Sequence, residues 1–400
     1  MKTIGLIGQG GSPNLGDVAI QDAMISGIRR RLPDARIILL TSDPAAASEV
    51  HGVESIHVSR PFDAAPSGGP NGERRSLVYR VWSRFRTWIG NLVLEFRFLR
   101  ESRRQLRSFD MLIVSGGGQM GDYWGGFRNQ PVLFLKWALL SKLSGVRFAI
   151  ISMGVGISAR TSSLLFALSS RLASYVSFRD EDSLAEALRR RLVRRAVVVP
   201  DLVYSLSIPE FDREAITSCK VIGISPICNE SWSTSPGNFD AYLEALATFA
   251  SSLAERGYRV VFFISQLTMD RSVVLEILER IGSDSLRAEM SFPEFATVEG
   301  LCETITRCDV IVASRLHAIL ISHLCRRPVI AASYSAKTNS IMTEMGHQSI
   351  CLDAEQLTVS DLERSLETVE SRYGELVEMI DEQIETRRRK VERQYDELLL

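Results

Sequence analysis

The sequence has no apolar run of about 18 residues free of charged side chains, which is the length that a membrane-spanning helix requires. Its 47 basic and 48 acidic residues leave a net charge of −1, so no overall basic field favours nucleic acid as a partner. The six cysteines form no Cys-x-x-Cys pair and follow no zinc-ligand spacing, which indicates buried thiols in a reduced, cytosolic protein without a metal site. A chain of 400 residues with this globular composition predicts two domains.

Short β-branched runs alternate with longer helical patterns in both halves of the sequence. The strands predicted in the first half are Thr3–Ile7, Arg36–Leu40, Met111–Val114, Arg147–Ile151 and Ala196–Val199. Those predicted in the second half are Val221–Ser225, Arg259–Ile264, Val310–Val312 and Pro328–Ala331. Continuous apolar strands joined by helices are typical of parallel sheets covered on both faces. We therefore expect two doubly wound, Rossmann-like α/β domains facing a cleft, with ligands at the carboxyl ends of the strands.

The domain boundary is predicted in a stretch that contains proline and serine. An N-terminal α/β domain over 1–200 precedes a linker over 201–218, and a C-terminal α/β domain over 219–365 follows. Residues 366–400 are predicted to form a charged helix with a solvated face.

An arginine-rich amphipathic helix is predicted over 76–107. Ten arginines and two glutamates between residues 74 and 107 give this segment a local charge of +8. The seven apolar residues spaced alternately by four and three are Val78, Trp82, Phe85, Ile89, Leu92, Phe96 and Leu99. Such a seam more commonly packs on the chain's own sheet or on a dimer partner. The arginine excess and the aromatic side chains nevertheless favour peripheral contact of 78–99 with an anionic lipid surface.

Three glycine-containing turns follow predicted strands. The first opens a helix, and a turn of this kind leaves backbone N–H groups free for an anion, although its Asn and Asp can simply cap the helix. The third, Gly154–Gly156, leads to Arg160. The first and second turns are predicted to be acceptor-binding or anion-binding loops that contain Asn14, Gly16, Asp17, Gly116, Gly117 and Gly118.

A histidine and a lysine follow two successive strands of the second half. His317 lies in Ser314-Arg315-Leu316-His317-Ala318, directly after one strand, and Lys337 comes just after the next. Because both lie at carboxyl ends of parallel strands, we expect them at one rim, as an acid–base group beside an anion site. Arg179, between a strand end and a helix, either pairs with an internal acid or binds an anion.

These motifs, in this order, resemble those of the polysaccharide pyruvyl transferase family. The segments that carry the resemblance are Asn14–Asp17, Ser115–Gly118, Gly154–Ile157, Arg179–Ser183, Arg315–Ala318 and Tyr334–Lys337. The resemblance spans roughly residues 3–347. The sequence departs from it where the family often has Gly-Ile-Gly-Pro, and the arginine-rich helix belongs to none of its motifs.

The resemblance implies a GT-B-like fold and transfer of pyruvate from phosphoenolpyruvate to two hydroxyls of a sugar. The product is a pyruvate ketal on an exopolysaccharide or cell-envelope glycan precursor, and phosphate is released. His317 is the expected catalytic proton donor, and no cofactor beyond the co-substrate phosphoenolpyruvate is expected. The residues expected to bind the donor are Arg160, Arg179, Arg315, Tyr334 and Lys337.

Two other functions stay open at this stage. A nucleotide-sugar glycosyltransferase would share the two-domain architecture, because fold alone does not decide function. A non-catalytic scaffold in glycan assembly would retain the fold without the chemistry. The motifs fit an acceptor that is a free sugar or a lipid-linked oligosaccharide. They fit a cytoplasmic protein or one at the inner face of the plasma membrane, and they leave the oligomeric state open.

Overall fold

A computed structural model describes residues 1–61, 77–123, 125–208, 219–232 and 234–400 of the chain. Within these ranges the strands form two sheets. The first sheet contains β1 (Thr3–Ile7), β2 (Arg36–Thr41), β3 (Glu54–His57), β4 (Met111–Gly121), β5 (Arg147–Gly156), β6 (Tyr175–Phe178) and β7 (Val197–Val198). The second contains β8 (Val221–Ser225), β9 (Arg259–Phe262), β10 (Met290–Ser291), β11 (Val310–Ala313), β12 (Val329–Ser333) and β13 (Cys351–Asp353).

Both sheets are parallel and doubly wound, as the sequence predicts. The first has the order β3-β2-β1-β4-β5-β6-β7 and the second the order β10-β9-β8-β11-β12-β13. In each sheet the first strand pairs with a strand on either side, so the strand order reverses there. Ligand sites of open α/β sheets lie at the carboxyl ends beside such reversals. In the second sheet the reversal lies between β8 and β11.

Helices connect the strands. In the first part of the chain they are α1 (Leu15–Arg31), α2 (Pro44–His51), α3 (Leu77–Leu106), α4 (Gln130–Ser144), α5 (Arg160–Leu172) and α6 (Glu181–Arg189). In the second part they are α7 (Asn229–Trp232), α8 (Pro236–Glu255), α9 (Arg271–Arg280), α10 (Asp284–Ala288), α11 (Val298–Thr306), α12 (Leu316–Leu324), α13 (Ala336–Glu344), α14 (Val359–Ser371) and α15 (Tyr373–Leu399). Single 3-10 turns lie at Gly126–Arg128, Leu202–Ser205, Gln348–Ile350 and Ala354–Gln356.

The chain divides into two compact units, each of which is formed by segments that are not contiguous in sequence. Unit 1 contains Met1–Gly11, Ile28–Val199 and Leu398–Leu400, and unit 2 contains Ser12–Gly27 and Pro200–Glu397. The start of α1 thus belongs to the unit that holds the second sheet. The first residues of the predicted linker are not a linker, because Asp201–Ser205 are buried in unit 2. Residues 209–218 of that prediction lie outside the described ranges.

Strand β4 is longer than the sequence predicts. It continues past Val114 to Gly121 and stays paired with β5, with a register shift between Gly117 and Met120. Gly116 and Gly117 therefore lie in an irregular strand and do not form a loop after it. Both have left-handed backbone angles, with φ of 56° and 77°, which glycine adopts without strain.

Helix α3 covers most of the predicted arginine-rich segment. In its second half Leu92 and Phe96 of the predicted seam are exposed, whereas Leu99 packs against the core of unit 1. The side chains of the seam before residue 90 lie outside the described ones. No helix in the described part of the chain combines the length and apolarity that crossing a bilayer demands.

Candidate active site

His317 lies in the first turn of α12, directly after β11, as its position in the sequence predicts. Its imidazole packs against the backbone of Gly16 in α1, where a Cβ atom would come within 2.1 Å of Nδ1 and 2.2 Å of Cγ. Only glycine leaves that space, because contacts under 3.0 Å force a shift. The absence of a side chain at Gly16 therefore leaves the space that the His317 ring occupies, and both residues belong to unit 2.

Two carboxylates accompany His317. Asp201 is buried, and its Oδ2 lies 3.9 Å from Nε2 of His317, too far for a direct hydrogen bond. Asp17 is partly buried one residue after Gly16. Burial raises the pKa of the Asp17 carboxyl, the charge of Asp201 raises it further, and His317 and the Asn14 amide oppose these effects. In the described part of the chain Nε2 of His317 has no hydrogen-bond partner, although the atom is buried.

Asn14 holds the start of α1 in place. Its Oδ1 accepts from the N–H of Gly16 at 3.1 Å, and its Nδ2 donates to Asp17 Oδ2 at 3.2 Å. The N–H of Leu15 donates to the carbonyl of Ser265 at 2.8 Å. Protein atoms thus already accept from two N–H groups at this helix start. Asn14 caps the helix and orients Asp17.

Arg315 is fixed by an acid that the sequence did not reveal. Its guanidinium makes a two-pronged ion pair with Asp270, whose side chain is fully buried, and its Nη2 also donates to Ser231 Oγ at 3.1 Å. Asp270 in addition accepts from the N–H of Cys228 at 3.0 Å. The charge of Arg315 is therefore balanced inside unit 2, beside the reversal of the second sheet. Its predicted contact with the donor stays a prediction.

Lys337 and Tyr334 follow β12, as predicted. Lys337 lies in the first turn of α13 and is partly exposed, and the Tyr334 ring lies 6.3 Å from that of Trp232. Tyr334 also lines an open cavity of about 630 Å³ at the carboxyl ends of β12 and β13. Hydroxyl, amide and carboxylate groups dominate its wall, among them Ser333, Ser335, Asn339, Gln348, Asp353 and Glu355.

In unit 1, Arg179 lies buried at the end of β6. Its Nε is 3.3 Å from Oδ2 of Asp180, the capping residue of α6. A Cβ atom on Gly154 would come within 2.8 Å of the Arg179 guanidinium carbon. The absence of a side chain at Gly154 therefore leaves the space that the Arg179 guanidinium occupies. The first alternative for Arg179, pairing with an internal acid, is therefore met by Asp180, and anion binding by Arg179 stays a prediction.

Arg160 opens α5, but a carboxylate already occupies the start of this helix. Asp122 accepts from the N–H groups of Ser158 at 2.8 Å and Ala159 at 2.9 Å. Burial alone would raise the pKa of Asp122, and the hydrogen bonds from Ala159 and Ser158 outweigh it and lower the pKa to about 2. Arg160 itself is exposed.

Asp122, Asp201 and Asp270 are thus the residues that sequence reasoning missed. Asp201 comes two residues after the predicted strand Ala196–Val199, which is a pattern that could have pointed to it, whereas Asp122 follows only the unpredicted extension of β4. The described residues contain no group of three or more His, Cys, Asp or Glu placed to hold a metal ion.

Solved structures with the same architecture include sugar-nucleotide enzymes. Anabaena Alr3699/HepE in complex with UDP-glucose shares 14% identity over 100% of this chain and 99% of its own, with a TM-score of 0.58. A putative UDP-N-acetylglucosamine 2-epimerase from Listeria monocytogenes shares 8% over 95% and 91%, with a TM-score of 0.60. MnaA of S. aureus, solved with UDP, shares 11% over 95% and 90%, with a TM-score of 0.55. At these identities the likeness shows the fold, which is the GT-B fold of two parallel-sheet α/β units.

The family is shown by a separate match. A family model for polysaccharide pyruvyl transferase covers residues 14–336, which includes β8–β12 and the segments around Gly16, Arg179 and His317. The chain belongs to the polysaccharide pyruvyl transferase family, and the resemblance seen in its motifs is confirmed.

Proposed function

We propose that the protein transfers pyruvate from phosphoenolpyruvate to two hydroxyls of a sugar in a glycan precursor, forming a pyruvate ketal. The family assignment supports a transferase of polysaccharide biosynthesis. The observation that carries the chemistry is the environment of His317. A buried imidazole nitrogen without a hydrogen-bond partner among the described residues lies 3.9 Å from Asp201, and the histidine also interacts electrostatically with Asp17.

The proposed reaction needs one proton donor and one proton acceptor. His317 gives a proton to the methylene carbon of phosphoenolpyruvate, which leaves an oxocarbenium-like C2. A sugar hydroxyl adds to C2 and loses its proton, and phosphate then leaves with the C–O electron pair. The second hydroxyl adds to the regenerated cation and returns a proton to the His317 imidazole, and the proton taken from the first hydroxyl leaves with phosphate, so one phosphoenolpyruvate and one diol give one ketal and one hydrogen phosphate.

The two carboxylates have different roles in this scheme. Asp201, 3.9 Å from the imidazole, is the carboxylate placed to orient His317 for proton transfer. Asp17 takes the proton of the attacking hydroxyl, since a carboxylate whose pKa is raised is a better base than an ordinary one. Asn14 and Gly16 position these groups.

Phosphoenolpyruvate carries a phosphate and a carboxylate, so it needs cations. Lys337, after the strand next to that of His317, is the proposed phosphate contact, with Tyr334 beside it. Arg315 is a further proposed contact with the donor, and its ion pair with Asp270 holds its guanidinium in one position. Arg160 and Arg179 of unit 1 are proposed donor contacts on the strength of the family motifs.

Deuterium incorporation tests the reaction itself. Phosphoenolpyruvate and a panel of sugars, UDP-sugars and lipid-linked oligosaccharides are incubated with the enzyme in D₂O. A ketal methyl group that carries one solvent deuterium, with one phosphate released for each ketal, is the expected product. Transfer of a glycosyl group from a UDP-sugar without consumption of phosphoenolpyruvate would instead assign a glycosyltransferase, and no turnover with any acceptor would favour a scaffold.

The His317→Ala variant tests the site. General acid catalysis contributes roughly 10²–10⁴-fold, so the single-turnover rate should fall by that factor while the affinity for phosphoenolpyruvate stays near that of the wild type. His57→Ala, which removes an exposed imidazole, is the matched control. Lost affinity with unchanged turnover at saturation would make His317 a phosphate ligand, and a lower melting temperature with normal kinetics would make it structural.

A further inference from the structure

The surface of unit 1 carries a face on which exposed apolar and arginine side chains adjoin. It is formed by the second half of α3 and by α4, and we call it the α3–α4 face. Among the exposed side chains in the second half of α3 and directly after it, five are spaced by four, four, three and four residues and form one stripe, consisting of Leu92, Phe96, Arg100, Arg103 and Arg107. On α4 a second stripe, with spacings of four, three and four, consists of Val132, Lys136, Leu139 and Leu143.

The two stripes are neighbours. The ammonium group of Lys136 lies 5.0 Å from the centre of the Phe98 ring, and Arg103 Nη2 donates to the carbonyl of Leu143 at 3.1 Å. Phe96 is 69% exposed and Leu143 is 62% exposed, values that neither side chain would show in a packed interior. The apolar groups therefore lie beside the arginines on one surface.

The arginines of this face are uncompensated. A groove of about 630 Å³ on α3 is lined by Arg97, Arg100, Glu101, Arg103, Arg104 and Arg107. Within the described residues none of these five arginines makes an ion pair. Several exposed arginines in unit 2 do, each with an acid three or four residues away, as in Arg307–Glu303, Arg364–Asp361 and Arg389–Glu385. Glu101 lies four residues after Arg97 and three before Arg104 but pairs with neither in the described structure, and residues 92–107 carry five arginines against two glutamates, which leaves a concentrated positive charge.

We propose that the α3–α4 face is a docking surface for an anionic lipid bilayer. The arginines match the negative headgroups, because each basic side chain near an anionic surface is attracted to it. The exposed leucines and Phe96 match the boundary between headgroups and acyl chains, where an amphipathic helix buries its apolar side chains. A nucleic-acid backbone would use the arginines and leave the apolar side chains in water. The proposal is independent of the proposed reaction.

Vesicle flotation tests the proposal with the full-length protein. Phosphatidylcholine vesicles are compared with vesicles that contain one quarter phosphatidylglycerol, at 0.1 M and 0.5 M NaCl. We expect binding to the anionic vesicles that weakens at 0.5 M NaCl, because salt screens exposed charges. Absence of binding, or equal binding to neutral vesicles, would overturn the proposal.

Two double variants separate the contributions. Arg104→Ser with Arg107→Ser should weaken binding about 30-fold, the equivalent of two lost arginines. Leu139→Ser with Leu143→Ser should weaken it roughly tenfold through lost apolar burial. The matched control is Arg307→Ser with Leu275→Ser, which changes one exposed residue of each type in unit 2. Wild-type binding by the arginine variant would overturn the assignment.

Two further readouts keep the result interpretable. The melting temperatures of the variants should equal that of the wild type, since the four positions are exposed. Pyruvyl transfer to a water-soluble acceptor should also be unchanged, which separates membrane docking from catalysis. A concentration-dependent dimer that is lost in the leucine variant would assign the face to a second copy of the chain and overturn the proposal.

Discussion

Gly16 and His317 are separated by 300 residues, yet the histidine ring lies where a side chain of residue 16 would be. This contact explains why a glycine stands before Asp17 in the first turn of α1, a position that any larger residue would fill with its Cβ atom. It also ties the position of the proposed proton donor to the first turn of α1.

Replacing Gly16 by alanine should therefore displace His317. The added Cβ would come within 2.1 Å of Nδ1, so the ring must move, and a shift of about 1 Å at a reacting group can reduce the rate roughly 10²-fold. We expect the single-turnover rate to fall by at least this factor. Gly237→Ala is the control, because nothing lies within 4 Å of a Cβ there. Wild-type turnover in Gly16→Ala would show that the contact does not position the ring.

Lys337→Ala and Arg179→Ala should each weaken the binding of phosphoenolpyruvate. A charge-assisted hydrogen bond to the anion contributes roughly 1.5–3 kcal/mol, which corresponds to about 10-fold to 150-fold in affinity. Isothermal titration with phosphoenolpyruvate measures the effect, and Lys142→Ala, which removes an exposed cation on α4, is the control. Unchanged affinity in either variant would remove that residue from the donor site.

Asp17→Asn should cost activity and increase stability at neutral pH. Because the folded-state pKa of Asp17 is raised above the unfolded value of about 3.9, the native state favours the protonated carboxyl. The stabilisation of the native state by the protonated carboxyl is complete below the pKa that Asp17 has in the unfolded chain. It is lost as the pH rises through the higher pKa that Asp17 has in the folded protein. The amide cannot ionise, so the melting temperature of the variant should exceed that of the wild type by more at pH 7.5 than at pH 4.

The control for this change is Asp34→Asn, at an exposed carboxylate before β2. A melting-temperature difference for Asp17→Asn that is the same at both pH values would argue against an unfavourably ionised carboxylate. Retained activity in that variant would exclude Asp17 as the proton acceptor.

Two buried histidines should make the protein sensitive to acid. His323 and His347 lie with ring centres 5.4 Å apart in unit 2. Burial lowers the pKa of His347 to about 4, and burial together with the neighbouring His347 lowers the pKa of His323 well below its usual value. The unfolded chain binds protons at about pH 6.5 and the native rings do not. The free energy of unfolding should therefore fall as the pH is lowered from about 6.5 to about 4.

Urea unfolding at pH 7, 5.5 and 4.5 measures this loss. In His323→Leu, which removes one buried imidazole, the decline between pH 6.5 and 4 should be shallower than in the wild type. His57→Gln, at an exposed imidazole, should leave it unchanged. Equal declines in His323→Leu and the wild type would show that other groups cause the acid sensitivity.

The sequence predicts local features well and long-range contacts poorly. Strand β11 starts at the predicted Val310 and is followed directly by the helix that carries His317, because the apolar strand pattern is local. The extension of β4 through its glycines was not foreseen, since β5 supplies the hydrogen bonds that keep that irregular segment in the sheet. Composition around residue 201 suggests a linker, and only tertiary packing places Asp201 beside His317.

The segment Ser12–Gly27 has a consequence for biosynthesis. This stretch is synthesised before the rest of unit 2, and the atoms that secure it there include the carbonyl of Ser265, which is synthesised 250 residues after Leu15. At ribosomal rates of about 5–20 residues per second, this delay is on the order of tens of seconds. During that time the apolar side chains of the nascent helix have no native surface to cover them. A chaperone that holds this segment of the growing polypeptide would therefore raise the yield of this protein more than that of one whose domains are contiguous in sequence.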